Sequence, residues 1–306
     1  MVKIAHIINP VVVPSSSDLH KAQPVTFASM RAARAYARGK TDVLTACACY
    51  PEDKLLVPEG FVLTPPLTRS VADLQSFACN RKLPILKDIL DRLYECSEGC
   101  DYLVYTNVDI GLQPYFYEAV AEIAADKHDA FVINRRTISE ACSDPSRLSL
   151  TYAQAGEPHC GFDCFVFQRR KYPQFHLANA CVGANWIGRV LLLNLLCTSE
   201  RFTILENCHM TFHLGDDRSW KRPEYADYDS FNNDQVGDVL KFFESKGQLA
   251  KHEYISRFAD DVLRKREQYQ RMLGNQEAAC ESNNAEKRGL LRQRSAAWVK
   301  RLFRQS

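Results

Sequence analysis

The sequence lacks the segments that would place it in or across a membrane. Its longest apolar stretch, VLLLNLL from Val190, is too short for a membrane-spanning helix and is followed by polar residues. The N-terminus, MVKIAHIINP, has neither the charged region nor the small-residue cleavage site of a signal peptide. We therefore expect a cytoplasmic protein whose twelve cysteines are reduced thiols.

Several ligand-binding signatures are also missing. There is no G-x-G-x-x-G and no G-x4-G-K-[ST], so neither a dinucleotide fingerprint nor a Walker A loop is available. The closest cysteine spacings do not form the paired C-x2-C pattern of a zinc site, and we interpret most of these thiols as small buried apolar groups; the pairs are Cys47/Cys49, Cys96/Cys100 and Cys160/Cys164.

Positive charge is concentrated at the C-terminus. From Ala285 to the end there are seven Lys or Arg and one Glu, a net +6, so the rest of the chain carries −4 of the overall +2. Enzymes of nucleic acids more often carry basic charge on the folded body, so we expect no nucleic-acid partner. A basic amphipathic helix predicted over 290–303, with Leu291, Trp298 and Leu302 on one face, suits an anionic membrane surface. A solvated helix, or one docked on the acidic body, is the alternative.

The first 135 residues alternate predicted strands and helices. The strands are predicted over 2–8, 43–49, 61–64, 102–109 and 130–134, and the helices over 27–37, 84–94 and 115–125. Such alternation is typical of a mainly parallel, doubly wound sheet.

The second half has a different pattern. Strands are predicted over 164–167 and 202–213, and helices over 186–196, 236–243 and 254–273. The polar, aromatic segment Tyr225 to Asn233 is interpreted as either a lid or a surface loop. We divide the chain into a first half (1–135), a second half (136–245), a packing helix (246–273) and a linker with the basic helix (274–306).

The most informative segment is DYLVYTNVDIG, residues 101–111. In open α/β sheets, ligands bind just beyond the carboxyl ends of the strands. Asn107 and Asp109 are two residues apart, so on an extended segment both side chains point to one side. An amide oxygen and a carboxylate suit a hard divalent cation, which can in turn bind a diphosphate. A strand followed by an Asx turn is the alternative.

The order of these features resembles that of GT-A-fold glycosyltransferases, the class that includes the family-2-like enzymes, over roughly residues 2–215. Four stretches carry the resemblance: KIAHIINP, ACNRKLPILKDIL, YLVYTNVDI, and GFDCFVFQRRKYP followed by VGANW and TFHLG. It implies a GT-A-like α/β fold with a nucleotide-sugar-binding half, an acceptor-binding half and a helical C-terminal extension.

The resemblance also implies roles for individual residues. Asp109 is expected to be the main ligand of Mn²⁺ or Mg²⁺, and His213 the C-terminal ligand of the same ion. Asn107 would face the donor ribose or the metal, and Asn9 and Arg81 would face the nucleotide. A cation and an arginine so placed would stabilise the charge that builds on a nucleoside-diphosphate leaving group.

One departure from the family pattern concerns the general base. Inverting members carry a carboxylate near the start of the second-half helix, where this sequence reads GANWIGRVL without Asp or Glu. Another carboxylate could serve, the enzyme could retain stereochemistry, or the protein could be inactive. Of the spare carboxylates Asp163, Asp216, Asp217 and Asp234, we prefer Asp163 as the catalytic residue.

The expected function is therefore transfer of a sugar from a nucleotide-sugar donor to a glycan or lipid-linked acceptor. The expected location is the inner face of a membrane, to which the protein would be peripherally attached. A catalytically inactive scaffold of the same fold and a metal-dependent phosphoester or diphosphate hydrolase are the alternatives.

Overall fold

The computed structural model describes residues 1–215, 223–250 and 252–274. Within them the strands are β1 (Lys3–Ile8), β2 (Asp42–Cys47), β3 (Val62–Leu63), β4 (Tyr102–Thr106), β5 (Ile110–Leu112), β6 (Ala130–Ile133), β7 (Arg136–Ile138), β8 (Glu157–Pro158), β9 (Cys164–Gln168), β10 (Phe202–Leu205) and β11 (Thr211–Leu214). The helices are α1 (Leu19–Tyr36), α2 (Leu86–Cys96), α3 (Phe116–Ala125), α4 (Leu148–Tyr152), α5 (Ile187–Thr198), α6 (Ala226–Ser245) and α7 (253–274).

Seven strands form the central sheet in the order β10-β6-β9-β4-β1-β2-β3. All neighbouring pairs are parallel except those of β9, which lies antiparallel between β4 and β6. The carboxyl ends of the parallel strands therefore share one edge with the beginning of β9. Because β1 has β2 on one side and β4 on the other, the chain order reverses at β1, and this is where open α/β sheets bind ligands.

Helices cover both faces of this sheet. Alternate residues of each strand point to opposite faces, so Ala5 and Ile7 of β1 enter one apolar core and Ile4 and Ile8 enter the other. The first core is closed by side chains of α2, α5, α6 and α7, and the second by side chains of α1 and α3. The protein thus has the GT-A-like α/β fold, with a central, mostly parallel sheet and C-terminal helices, that the sequence predicts.

A second, smaller sheet has the order β5-β11-β7-β8. β11 pairs antiparallel with β5 and parallel with β7, so it is an inner strand. Both of the predicted halves contribute strands to each sheet, because β9 and β10 of the second half join the large sheet while β5 of the first half joins the small one.

The chain passes directly between the two sheets, without an intervening helix, at four points; a fifth passage, from β5 to β6, runs through α3. Residues 107–109 connect β4 to β5, 134–135 connect β6 to β7, 159–163 connect β8 to β9, and 206–210 connect β10 to β11. All four crossings lie at the edge where the parallel strands end. We call this edge the seam, and it is where the polar side chains of the candidate site lie.

Two of the predicted strands are wrong because the sequence does not reveal these crossings. The strand predicted over 102–109 ends at Thr106, and Asn107 to Ile110 form a turn closed by a hydrogen bond from Ile110 N to Asn107 O of 3.2 Å. The strand predicted over 202–213 is two strands, β10 and β11, in different sheets. The polar residues between them connect the two sheets and do not pair with a strand of either one.

One predicted helix and one predicted loop also need correction. The helix predicted over 27–37 begins at Leu19, because Pro24 is accommodated inside α1. The segment Tyr225 to Asn233 is neither a lid nor a surface loop, since it forms the start of α6 with Tyr228, Asn232 and Asn233 buried. Its polar residues hydrogen-bond to neighbouring loops, which explains how a polar sequence comes to be buried.

Among the described helices, none combines the length and the apolar character that a membrane span requires. The predicted linker and basic helix after residue 274 lie outside the described residues.

Candidate active site

Asp109 and His213 are brought together by the small sheet. His213 on β11 stands opposite Ile110 on β5, and Asp109 immediately precedes Ile110. The Nε2 atom of His213 consequently lies 3.2 Å from Oδ2 of Asp109. The other ring nitrogen, Nδ1, lies 2.8 Å from the carbonyl oxygen of Gly215 and donates to it, since a carbonyl only accepts. The imidazole is therefore fixed at both ends.

The charges of this pair stabilise each other. Burial raises the pKa of the Asp109 carboxyl, but the positive charges of His213 and Arg135 outweigh burial and hold that pKa below its usual range. Burial lowers the pKa of the His213 imidazole, but the Asp109 carboxylate outweighs burial and raises it above its ordinary value. In the protein alone, each of the two groups therefore favours the charged form of the other.

The two residues fit a divalent cation. Oδ1 of Asp109 is buried and has no hydrogen-bond partner among the described residues, so one carboxylate oxygen is available to a ligand. A carboxylate oxygen and an imidazole nitrogen are both ligands of Mn²⁺, and a cation would replace the proton on His213. No group of three or more His, Cys, Asp or Glu side chains in the described part of the chain is arranged to hold a metal. An ion bound here would need further ligands, such as diphosphate oxygens or water.

A buried ion pair lies beside Asp109 and His213. Nη1 of Arg135 lies 2.7 Å from Oδ1 of Asp163, and both side chains are only 11% exposed. The His159 ring completes the group, with Nε2 3.5 Å from Nη2 of Arg135 and Nδ1 3.6 Å from Oδ2 of Asp163. Oδ2 of Asp163 is buried and accepts no hydrogen bond from a described residue. A second carboxylate oxygen at the seam is thus without a hydrogen-bond partner among the described residues.

We call Asp109, Arg135, His159, Asp163 and His213 the seam cluster. Four of its members come from three of the crossings between the sheets, and His213 follows the fourth. The cluster combines two carboxylate oxygens that lack a hydrogen-bond partner among the described residues with two imidazoles and a guanidinium, in a largely buried setting. Such a set can hold a cation, stabilise an anionic leaving group and accept a proton.

Asn107 and Asn9 lie at the same edge but make local hydrogen bonds. Oδ1 of Asn107 accepts from the Tyr105 hydroxyl at 3.0 Å, which directs the amide toward the end of β4. Nδ2 of Asn9 donates to the carbonyl of Ala48 at 2.7 Å and so connects the ends of β1 and β2. Neither side chain hydrogen-bonds to a described member of the seam cluster, and their predicted contacts with the donor stay predictions.

Arg81 is held between the two halves of the chain. Its guanidinium lies over the Tyr225 ring at 4.3 Å, and Nη1 donates to the carbonyl of Gly183 at 3.2 Å. Its main-chain N donates to the Tyr228 hydroxyl at 2.8 Å. The hydrogen bonds described for Arg81 do not reach the seam cluster, and its nucleotide contact likewise stays a prediction.

The other residues considered from sequence are placed differently. Asp234 pairs with Arg266 of α7 at 2.7 Å, away from the seam. His209 lies in the crossing before β11 and not in a strand, with Nε2 2.8 Å from Nε2 of Gln113. Asp216 and Asp217 lie outside the described residues.

Arg135 and His159 were not anticipated from the sequence. Arg135 follows a predicted strand at 130–134, so the rule that singled out Asp109 after its strand could have found it. His159 precedes a predicted antiparallel strand, whose beginning lies at this edge only because the chain reverses direction. No local sequence pattern predicts that this strand runs antiparallel to its neighbours.

No protein-family model and no curated protein matches the chain. Among solved structures it is similar to Staphylococcus aureus TarS 1–349 in complex with UDP-GlcNAc, at 10% identity and TM-score 0.48, covering 86% of this chain and 72% of that one. It is also similar to the galactosyltransferase LgtC in complex with donor and acceptor sugar analogues (7% identity, TM-score 0.36, 78% and 96% covered). A third match is a putative nucleotide-diphospho-sugar transferase from Desulfovibrio desulfuricans G20 (10%, TM-score 0.33, 78% and 99% covered). A fold shared at such identities does not specify activity.

Proposed function

We propose that the protein is a metal-dependent glycosyltransferase that moves a sugar from a nucleoside-diphosphate-sugar donor to a hydroxyl group of a glycan or lipid-linked acceptor. The observation that carries the proposal is the Asp109–His213 pair, with its buried, partnerless carboxylate oxygen, at the carboxyl edge of the parallel strands. This edge is where α/β folds bind nucleotides and related ligands.

In the proposed reaction the bond between the sugar's anomeric carbon and the diphosphate oxygen breaks. A new bond forms between that carbon and the acceptor oxygen, and the acceptor hydroxyl gives up its proton. Asp109 and His213 would hold Mn²⁺ or Mg²⁺, which when bound supplies positive charge to the leaving nucleoside diphosphate. Asn9, Arg81 and Asn107 are proposed to contact the donor.

Asp163 is the proposed general base. Its Oδ1 is held by Arg135 at 2.7 Å, whereas its Oδ2 has no hydrogen-bond partner among the described residues and so remains available for a proton. Whether the product inverts or retains configuration depends on which face of the sugar Asp163 serves.

A screen of nucleotides and nucleotide sugars by thermal shift, with and without Mn²⁺, tests the proposal. We expect one nucleoside diphosphate and its sugar to raise the melting temperature only when Mn²⁺ is present. The sugar that does so is then incubated with the protein, and release of nucleoside diphosphate is followed with and without acceptors. Binding without release would favour the inactive scaffold, and release that no acceptor changes would favour the hydrolase. No binding at all would overturn the proposed function.

We further propose that the basic segment after Ala285 attaches the enzyme to the anionic cytoplasmic face of a membrane. Seven Lys or Arg are interleaved there with Leu290, Leu291, Trp298, Val299, Leu302 and Phe303. Each cation near an anionic surface contributes about 1 kcal/mol, and the apolar residues add insertion into the interface. A lipid-linked acceptor would then be held close to the enzyme.

A further inference from the structure

The loop before α5 borders the seam cluster. Gly188 in the first turn of α5 packs against Phe162, so closely that a Cβ atom at position 188 would lie 2.9 Å from the Phe162 carbonyl oxygen. Phe162 is followed by Asp163, whose Oδ2 is buried and without a hydrogen-bond partner among the described residues. The loop at 181–186 therefore leads into a helix that begins against the segment carrying Asp163.

Side chains of α6 hold Asn185 in this loop. The main-chain N of Asn185 donates to Oδ1 of Asp229 at 2.9 Å, and its main-chain carbonyl accepts from Nδ2 of Asn232 at 2.8 Å. The side-chain Nδ2 of Asn185 also donates to Oδ2 of Asp229. Asp229 is 8% exposed and Asn232 is fully buried, so both anchors are rigid parts of the helix packing.

These contacts fix which way the Asn185 amide faces. The NH₂ group of Asn185 faces Asp229, to which it donates, so the carbonyl oxygen Oδ1 at the other end of the planar amide faces away. This oxygen makes no hydrogen bond with any described residue, and the side chain is half-buried. An amide whose NH₂ is bonded to a carboxylate is also polarised, which makes its oxygen a stronger acceptor.

We propose that Asn185 binds the acceptor, with Oδ1 accepting a hydrogen bond from an acceptor hydroxyl, and that Asp229 is the residue that positions it. The inference rests on the proposed function, since it assigns the acceptor side of that reaction. It places the acceptor between Asn185 and Oδ2 of Asp163, on the side of the seam cluster where α5 begins.

The loop is also held from the donor side. Arg81 donates to the carbonyl of Gly183, two residues before Asn185. Asn232 adds two further bonds, to the main-chain N and O of Cys181, each 2.9 Å long. With anchors on both sides, Asn185 keeps its place even when its own side chain is shortened.

The experiment compares transfer with hydrolysis of the donor. The nucleotide sugar identified by the thermal-shift screen is supplied with methyl glycosides of glucose, galactose and N-acetylglucosamine. The ratio of glycoside transfer to sugar release into water is measured. We expect Asn185→Ala to lower this ratio about tenfold, the loss expected for one hydrogen bond to the acceptor. Asp229→Asn should also lower the ratio, because the amide of Asn185 is then no longer held by a carboxylate.

Two control variants separate binding from stability. Asp234→Asn makes the same substitution on α6 at the residue that pairs with Arg266, and should leave the ratio unchanged. Asn232→Ala removes bonds to the loop but not the Asn185 amide, so it should lower the melting temperature and reduce transfer and hydrolysis together. Melting temperatures of all four variants are recorded in parallel.

Wild-type release of nucleoside diphosphate with an unchanged ratio in both Asn185→Ala and Asp229→Asn overturns the inference alone. No release by the wild type from any nucleotide sugar overturns the proposed function and this inference with it. Release without transfer to any of the sugars assigns the chain to hydrolysis and has the same consequence.

Discussion

Nε2 of His213 and Oδ2 of Asp109 lie 3.2 Å apart although 104 residues separate them in sequence. They meet because Asp109 leads directly into β5, and β5 pairs with β11 in the small sheet. The position of Asp109 thus depends on the pairing of β5 with the strand that carries His213. A substitution at either residue, or in either strand, should therefore disturb the pair.

Replacing Asp109 by Ala should abolish the Mn²⁺-dependent binding of the nucleotide. A ligand at a hundred times its Kd stabilises a protein by about 2.7 kcal/mol, so its loss is readily measured as a smaller thermal shift. Asp126→Ala is the control, since that carboxylate is exposed and its ion pairs with described residues are those with His128 and Arg201. An equal Mn²⁺-dependent shift in Asp109→Ala and wild type would refute the metal site.

Gly111→Ala should damage the same site without touching either ligand. A Cβ atom at Gly111 would overlap the ring of Phe212, the residue before His213, so β5 and β11 would be forced apart. Such overpacking costs about 1–3 kcal/mol, measurable by urea denaturation. Gly274→Ala is the control, because a Cβ atom there meets nothing within 4 Å, and it should leave the free energy of unfolding unchanged. Wild-type stability in Gly111→Ala would show that the two strands adjust freely.

Breaking the Arg135–Asp163 pair should be costly. Both side chains are 11% exposed, and removing one partner leaves the other charge buried, which costs about 3–5 kcal/mol. Arg135→Met should therefore lower the free energy of unfolding far more than Arg201→Met, whose exposed pair with Asp126 contributes less than about 1 kcal/mol. In a double-mutant cycle, Arg135→Met with Asp163→Leu should cost less than the sum of the single changes. Strict additivity would mean that the pair does not act as a unit.

His6 should make the protein less stable in mild acid. Its ring is buried between the Tyr117 hydroxyl at 3.0 Å and the Thr106 hydroxyl at 2.9 Å, and burial lowers its pKa to about 3. Below about pH 6.5 the unfolded chain takes up a proton at His6 that the folded protein does not. Stability contributed by the neutral ring is therefore complete above that pH and falls by up to about 1.4 kcal/mol per unit as the pH drops toward 3.

The measurement for His6 is the free energy of unfolding at several pH values between about 4 and 7. In His6→Gln the dependence on pH should be shallower, whatever the overall loss of stability. A slope equal to that of the wild type would mean that other groups account for the acid sensitivity.

Ending the chain at Asn284 should release the protein from anionic vesicles. Exposed charges are screened within about 10 Å at 0.1 M salt, so binding of the full chain should weaken as salt rises, and Trp298 fluorescence should shift to the blue on binding. Full chains with Trp298→Ser and Leu302→Ser keep every charge and serve as the matched variant for apolar insertion. Equal sedimentation of truncated and full chains would rule out the tail as the anchor, whereas activity on a soluble acceptor should be unchanged by truncation.

The fold was predictable because its strands and helices follow strong local patterns. The apolar run at Tyr102 and the i, i+3, i+4, i+7 spacing in α2 determine local structure almost by themselves. Asp109 was found for the related reason that a polar residue after a buried strand must lie at the sheet edge. The family resemblance, rather than any local pattern, pointed to His213.

What the sequence hid was the division of the strands between two sheets. Nothing in the run from Phe202 to His213 indicates that its two ends belong to different sheets. The bend at 107–109, where the chain leaves one sheet for the other, is likewise not indicated by the local sequence. The Asp229 and Asn185 contact was beyond reach for a different reason. A hydrogen bond between a carboxylate on one helix and a loop 44 residues earlier depends on the tertiary structure, which the periodicity of the sequence does not predict.

The antiparallel placement of β9 has a consequence for synthesis of the chain. β4 and β6 are both made before β9, yet neither pairs with the other, because β9 lies between them. A nascent chain that ends before Cys164 therefore carries three unpaired, apolar strand edges, one on β4 and two on β6, because β10 has not yet been made either. Such edges are the kind of surface on which chaperones act and aggregates grow. Ribosome-bound chains should accordingly gain protease resistance abruptly once Gln168 has left the exit tunnel.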